Sequence, residues 1–159
     1  MKKTNQIGLT GEKTEPLAQK LNILLANYSV FYQNTRGFHW NIEGDTFFEL
    51  HEKFEELYND LVTKIDEVAE RVLTLGYTPE HQFSKYVEVA EITESDKISD
   101  GKKAVEHILE AFRVTLILQR EILELSDEAG DEGTNALMSD YISEQEKMVW
   151  MYSAYSTTE

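Results

Sequence analysis

No cysteine occurs in the chain, which excludes disulfides, iron–sulfur clusters and thiolate zinc sites. Any metal bound here must be held by carboxylate oxygen and imidazole nitrogen. Proline is nearly absent, with two residues, and glycine is sparse, with eight. So little punctuation favours long helices over many short strands. No apolar run approaches the length of a membrane span, and the opening MKKTNQIGLT has no apolar stretch of the kind a secretory leader needs. The expected setting is therefore cytoplasmic, with no membrane partner. Positive charge is scarce as well: 15 Lys and Arg stand against 30 Asp and Glu, a formal net charge of −15. Such a chain repels nucleic acid and attracts cations.

The 159 residues suffice for one domain with a real core. Residues 1–13 read as a flexible N-terminal tail, and residues 14–156 as the folded domain. Pro16 suits the first turn of a helix. Leu17, Leu21, Leu24, Tyr28 and Phe31 then recur at spacings of three and four, an amphipathic stripe that should run to about Trp40. A turn through Gly44 follows. Thr46 and Glu49 stand in capping-box spacing, and Leu50, Phe54, Leu57, Leu61, Ile65, Val68 and Val72 form the seam of a second helix. Gly76 is its expected C-terminal cap.

Residues 77–97 make a long connection, in which a short helix near Gln82–Val87 is expected. A third long helix carries Val105, Ile108, Phe112, Leu116 and Leu123 inward. After Gly130–Gly133, a fourth carries Leu137, Tyr141, Met148 and Tyr152. Short turn, long crossover, short turn is an all-α, ferritin-like four-helix bundle with an extra short helix in the crossover between its second and third long helices.

The second helix has another face with chemistry on it. His51 and Glu55 are four apart, as are Asp66 and Glu70, and residues at that spacing share a side of the helix. All four lie within an arc of roughly 100°. Phe48, Val62 and Leu73 share that arc, which marks it as an interface rather than a solvated face. His51 and Asp66 are roughly 22 Å apart along the axis, so the two pairs cannot close on one ion within one chain. A two-fold axis between Asp60 and Leu61 would lay an antiparallel copy so that His51 meets the partner's Glu70 and Glu55 meets the partner's Asp66. His39 is placed to add a second imidazole. Two imidazoles with carboxylates suit Fe(II) or another first-row divalent ion, with zinc or manganese able to take its place. The residues alone leave two alternatives open, a metal site or hydrogen bonds across a dimer interface. No Glu-x-x-His occurs, so a di-iron centre inside a single bundle, which relies on that spacing, is not expected.

The segment FHWNIEGDTFFELHEKFEELYNDLVTKIDEVAERVLTLG, residues 38–76, resembles the Dps family (DNA-binding protein from starved cells). His39-Trp40, His51 and Asp66…Glu70-Arg71 carry the resemblance. It implies a dodecameric shell that oxidises Fe(II), preferentially with hydrogen peroxide, and stores ferric mineral. It assigns His39, His51, Glu55, Asp66 and Glu70 to a ferroxidase site between subunits. Glu55 stands where some members have Asp. Trp40 resembles the aromatic residue that the family keeps beside the iron, the alternative being ordinary core packing. The resemblance also implies an acidic three-fold pore near Asp127, Asp131 and Glu132, with Asp127 and Glu132 favoured. Ala136 stands where some members place a further Asp. His81 and His107 match nothing and are expected at the surface. The tail lysines Lys2, Lys3 and Lys13 have Glu12 and Glu15 nearby, so weak or absent DNA binding is expected. A DNA-coating structural protein with incidental metal binding is the alternative function.

Overall fold

The computed structural model describes residues 3–157. Its helices follow the apolar stripes. In order they are α1 (Gly11–Asn41), α2 (Phe47–Thr74), α3 (Phe83–Val89), α4 (Gly101–Ala129) and α5 (Glu132–Ser156). Leu17, Leu21, Leu24, Tyr28 and Phe31 of α1 are all buried, as one helix face facing a core must be. They join the seam of α2, with Val105, Ile108 and Phe112 of α4 and Met138, Tyr141 and Tyr152 of α5, in one hydrophobic cluster. Phe31 meets Phe112 edge-on at 5.1 Å, and Tyr28 meets Tyr141 edge-on at 6.2 Å, the geometry that ring quadrupoles favour. Among the described residues, extended pairing is limited to one isolated bridge, Thr4 with Thr10.

The pairing of side chains fixes the helix directions. Lys20 with Glu121 and Phe31 with Phe112 set α1 antiparallel to α4. Phe38 with Phe54 and Tyr32 with Tyr58 set α1 antiparallel to α2. Thus α2 and α4 run the same way, and the chain must return along the bundle between them. Three asparagines of α1 carry that return. Asn22 donates to the Thr78 carbonyl (3.2 Å) and accepts from Glu80 N (2.9 Å). Asn27 accepts from Glu91 N and Ile92 N, both at 3.0 Å. Asn34 donates to the Thr93 carbonyl and accepts from Ser95 N, both at 2.9 Å. Each supplies the crossover backbone with partners that no sheet provides.

The helix ends differ in part from the sequence pattern. α1 starts at Gly11 rather than at residue 14, because Asn5 organises residues 5–9 ahead of it. Its side-chain oxygen accepts from Ile7 N and Leu9 N, and its amide reaches the Leu75 carbonyl at 3.3 Å. Pro16 consequently lies inside α1, past its first turn. Residues 1 and 2 of the expected tail, Lys2 included, lie outside the described residues. Thr46 does precede α2, but its hydroxyl pairs with Tyr155 OH at 3.0 Å, and no capping box forms. Gly76 behaves as expected: at φ +94 it ends α2 while Tyr77 N donates to Val72 O and Gly76 N to Leu73 O, a Schellman closure. The crossover helix spans Phe83–Val89, slightly later than Gln82–Val87.

Candidate metal centre

His39 ends α1 and His51 opens α2, and the five-residue turn between the helices brings their rings together. The imidazoles stack at 3.8 Å with a 12° interplanar angle. His39 Nδ1 lies 2.6 Å from the His51 carbonyl, and His51 Nδ1 lies 2.7 Å from the His39 carbonyl. A carbonyl only accepts, so each Nδ1 is the donor and each Nε2 is the ring nitrogen left to face a metal. This is how metal-ligating imidazoles are oriented from behind. Phe47 stacks on His51 at 4.9 Å, and the Tyr58 ring meets the His39 ring edge-on at 5.3 Å. The Tyr58 hydroxyl donates to Glu55 Oε1 at 3.4 Å. Loss of hydration, and then the Glu55 charge, hold the Tyr58 phenol above its ordinary value, so it stays protonated at neutral pH.

Asp66 and Glu70 lie further along α2, both exposed. The Asp66 charge, with a hydrogen bond shared between the two carboxyls, raises the Glu70 carboxyl above the usual carboxylate range. Like charges held this close favour one proton or one cation between them. Because α2 is a continuous helix, this pair stays roughly 22 Å from His51. Among the described residues, no group of three or more His, Asp or Glu side chains is placed to hold a metal ion. The imidazole pair and the carboxylate pair are therefore separate halves.

Around these halves the surface is apolar. Phe48 is 78% exposed, Leu73 58% and Val62 42%. Trp40 is 56% exposed, which removes core packing within the chain as its explanation. The Arg36 guanidinium lies over the Trp40 ring at 4.8 Å and over Tyr32 at 5.4 Å, in cation–π range. Tyr32, Arg36, Trp40, Val62, Ile65 and Phe83 line a groove of about 870 Å³.

Among the described residues, amides and hydroxyls rather than carboxylates occupy the middle of the bundle. Tyr28, Thr115, Gln119 and Gln145 are buried there and satisfy one another. Tyr28 donates to Gln119 Oε1, Gln145 Nε2 donates to Tyr28 OH at 2.7 Å, and Thr115 and Gln119 donate to Gln145 Oε1 at 2.9 and 3.0 Å. Amides and hydroxyls fill the place where an intra-bundle di-iron centre would need carboxylates.

The three expected pore carboxylates divide. Asp127 and Glu132 are exposed. Asp131 is not available to line a pore: it is 2% exposed, caps α5 through Thr134 N (3.1 Å) and accepts from Arg71 Nη2 at 2.6 Å. Arg71 Nε also donates to Thr134 Oγ1 at 2.8 Å. A Cβ on Gly133 would lie 2.7 Å from that guanidinium, so glycine is what lets Arg71 approach. His81 and His107 are exposed. Sequence reasoning passed over Tyr58, and named Arg71 only as part of the motif, without its partner Asp131. The signal for Tyr58 was present, since His51, Glu55 and Tyr58 follow the i, i+4, i+7 stripe of one helix face.

A ferritin-like domain model matches residues 18–158. The chain is 46% identical over 158 residues to a DNA protection during starvation protein of Porphyromonas gingivalis, covering 99% of both chains. It is 36% identical over 142 residues to general stress protein 20U of Bacillus subtilis, covering 89% of this chain and 98% of that one. The crystal structure of a Dps protein from Vibrio cholerae, described as a member of a broad superfamily of ferritin-like diiron-carboxylate proteins, superposes with a TM-score of 0.95. It shares 56% identity, with 97% of each chain covered.

Proposed function

The chain belongs to the Dps family of ferritin-like proteins, and from that premise we propose that it forms a closed homo-oligomeric shell, a dodecamer, that oxidises Fe(II) with hydrogen peroxide and stores the ferric product. The observation that carries this reading is the His39–His51 pair. Both Nδ1 atoms are engaged by backbone, both Nε2 atoms are left to coordinate, and among the described residues no carboxylate pair of the same chain completes a metal site with them. An antiparallel copy of α2 supplies what is missing. His39, His51 and Glu55 of one subunit face the partner's Asp66 and the partner's Glu70, giving two equivalent sites about one two-fold axis. The exposed Trp40, Phe48, Val62 and Leu73 become the apolar surround of that contact.

Iron is the substrate. The imidazoles fix Fe(II) at a position that zinc or manganese can also occupy. The acidic pair balances its charge, and its own repulsion falls when the cation arrives. One peroxide takes two electrons from two Fe(II) ions and, with two protons, leaves as two waters. Asp127 and Glu132 draw Fe(II) towards the shell interior. DNA is not a ligand at physiological salt, because each subunit carries a formal charge of −15. A cytoplasmic setting is part of the proposal, and no described helix is long and apolar enough to cross a membrane.

The test is anaerobic Fe(II) loading followed by peroxide, read by ferric absorbance. His51→Ala and Asp66→Asn should each abolish fast oxidation. Co-expressed, the two variants form mixed dimers in which one of the two sites is wholly native, and part of the rate returns. No rescue in verified mixed dimers would mean that the site is not shared, and native rates in both variants would remove the ferroxidase reading.

A further inference from the structure

We infer that Arg36 is a positioning residue of the metal site: across the two-fold contact it pairs with the partner's Asp66, holds that carboxylate in place before metal arrives, and competes with an ion at the carboxylate half. The inference rests on the proposed shared site and adds a residue to it. The chain has four arginines. Arg71, Arg113 and Arg120 each hold a carboxylate, from Asp131, Glu110 and Glu146. Among the described residues Arg36 has no such partner, and its side chain donates only to Gln33 Oε1, at 3.3 Å. It is held in place all the same. Its guanidinium lies over Trp40 at 4.8 Å and over Tyr32 at 5.4 Å, half-buried in the groove that Trp40 and Val62 also line. In a chain of formal charge −15, a cation fixed on two aromatic faces is placed for an anion that its own chain does not supply.

The helix register identifies that anion. Phe38 lies against Phe54 and Tyr32 against Tyr58, and the two helices are antiparallel, so Arg36 stands level with Glu55 of α2. Glu55 itself is engaged elsewhere, accepting from the Tyr58 hydroxyl. The two-fold axis between Asp60 and Leu61 sets Glu55 against the partner's Asp66. It therefore brings the partner's Asp66 to the level of Arg36, on the face where Trp40 and Val62 are exposed. Closing that apolar contact over the acidic pair without a counter-charge would be costly, and the Asp66 charge already opposes ionisation of Glu70 within one chain. Arg36 supplies the counter-charge, through a planar fork that can donate two N–H bonds to one carboxylate. A divalent ion at the carboxylate half must displace it. The imidazole half has no such competitor, so loading is ordered, imidazoles first.

The experiment titrates the assembled, metal-free protein with Zn(II) by calorimetry and follows its thermal midpoint with and without Zn(II). Arg36→Gln should tighten the weaker Zn(II) step several-fold and lower the midpoint of the metal-free protein, and saturating Zn(II) should close that gap to the native protein. Arg36→Lys keeps the charge and should restore most of both. In an Asp66→Asn background, where the carboxylate is gone, Arg36→Gln should no longer lower the metal-free midpoint. A side chain that only packs on Trp40 would lower the midpoint equally with and without Zn(II), and in both backgrounds. That result would overturn the inference and leave the shared site intact. So would an effect found in Lys97→Gln, which lines the same groove from the crossover, and absent from Arg36→Gln. A native protein that binds no Zn(II), or Zn(II) binding undiminished in both His51→Ala and Asp66→Asn, would remove the site and the inference together.

Discussion

His39 and His51 hold each other: each imidazole Nδ1 lies within hydrogen-bond distance of the other residue's backbone carbonyl, at 2.6 and 2.7 Å. The turn between α1 and α2 thus pre-sets both tautomers before any metal arrives. Preorganisation of this kind predicts an asymmetric response to mutation. His39→Gln and His51→Gln each remove a coordinating nitrogen and break the reciprocal pair. Each should weaken Zn(II) or Fe(II) binding by more than the ~10–100-fold that loss of an outer-shell partner costs. Isothermal titration with Zn(II) checks this. An affinity unchanged in either variant would place the metal elsewhere.

The link between Arg71 and Asp131 makes a second prediction, about which acidic residues serve iron and which serve the fold. The Asp131 side chain is 1% exposed and bonded to both the guanidinium and the start of α5. Asp131→Ala removes a helix cap and strands a largely buried cation, which should cost about 3–5 kcal/mol. Asp127→Ala and Glu132→Ala, at exposed positions, should change stability by less than about 0.5 kcal/mol yet slow the filling of the shell. Denaturant unfolding and the rate of mineral growth measure the two effects separately. A destabilising Asp127→Ala, or a neutral Asp131→Ala, would reverse the assignment.

The same pair marks where sequence reasoning reached its limit. Helix order, the crossover and the core seams were legible because burial on one face imposes a period of three to four residues. Leu17 to Phe31 obey it throughout, and so do Leu50 to Val72 except at Ile65, which is half-buried. The half-sites were legible too, because ligand spacing on a helix is the same periodicity applied to His51, Glu55, Asp66 and Glu70. What sequence could not supply was the partner of each polar group across helices. The resemblance already favours Asp127 and Glu132 over Asp131 as pore residues, but the physical reason, the approach of Arg71 over Gly133 to Asp131, lies across helices. Thr46 and Glu49 have capping-box spacing, yet a tyrosine 109 residues away takes the hydroxyl. Asn22, Asn27 and Asn34 read as ordinary polar positions until the crossover lies against them.

The buried tyrosines set the alkaline limit of the fold. Burial pushes the phenols of Tyr28, Tyr141 and Tyr152 above their ordinary value, and the Glu67 carboxylate that accepts from Tyr141 at 3.0 Å adds to the effect there. The folded state therefore favours the neutral phenol. The stability this represents is fully present below the ordinary value of about 10 and is lost as pH rises through the interval above it, where the unfolded chain ionises and the folded chain does not. Each such tyrosine removes about 1.4 kcal/mol per pH unit across that interval. Three acting together exhaust a typical domain stability of 5–15 kcal/mol within a few pH units. A spectrophotometric titration of phenolate should therefore show at most five of the eight tyrosines ionising reversibly. The rest should appear in one cooperative step that coincides with loss of helical circular dichroism. Tyr141→Phe, which has no phenol to ionise, should move that step to higher pH. Full titration of all eight phenols with the helices intact would show that the Tyr28–Tyr141 contact does not exclude water.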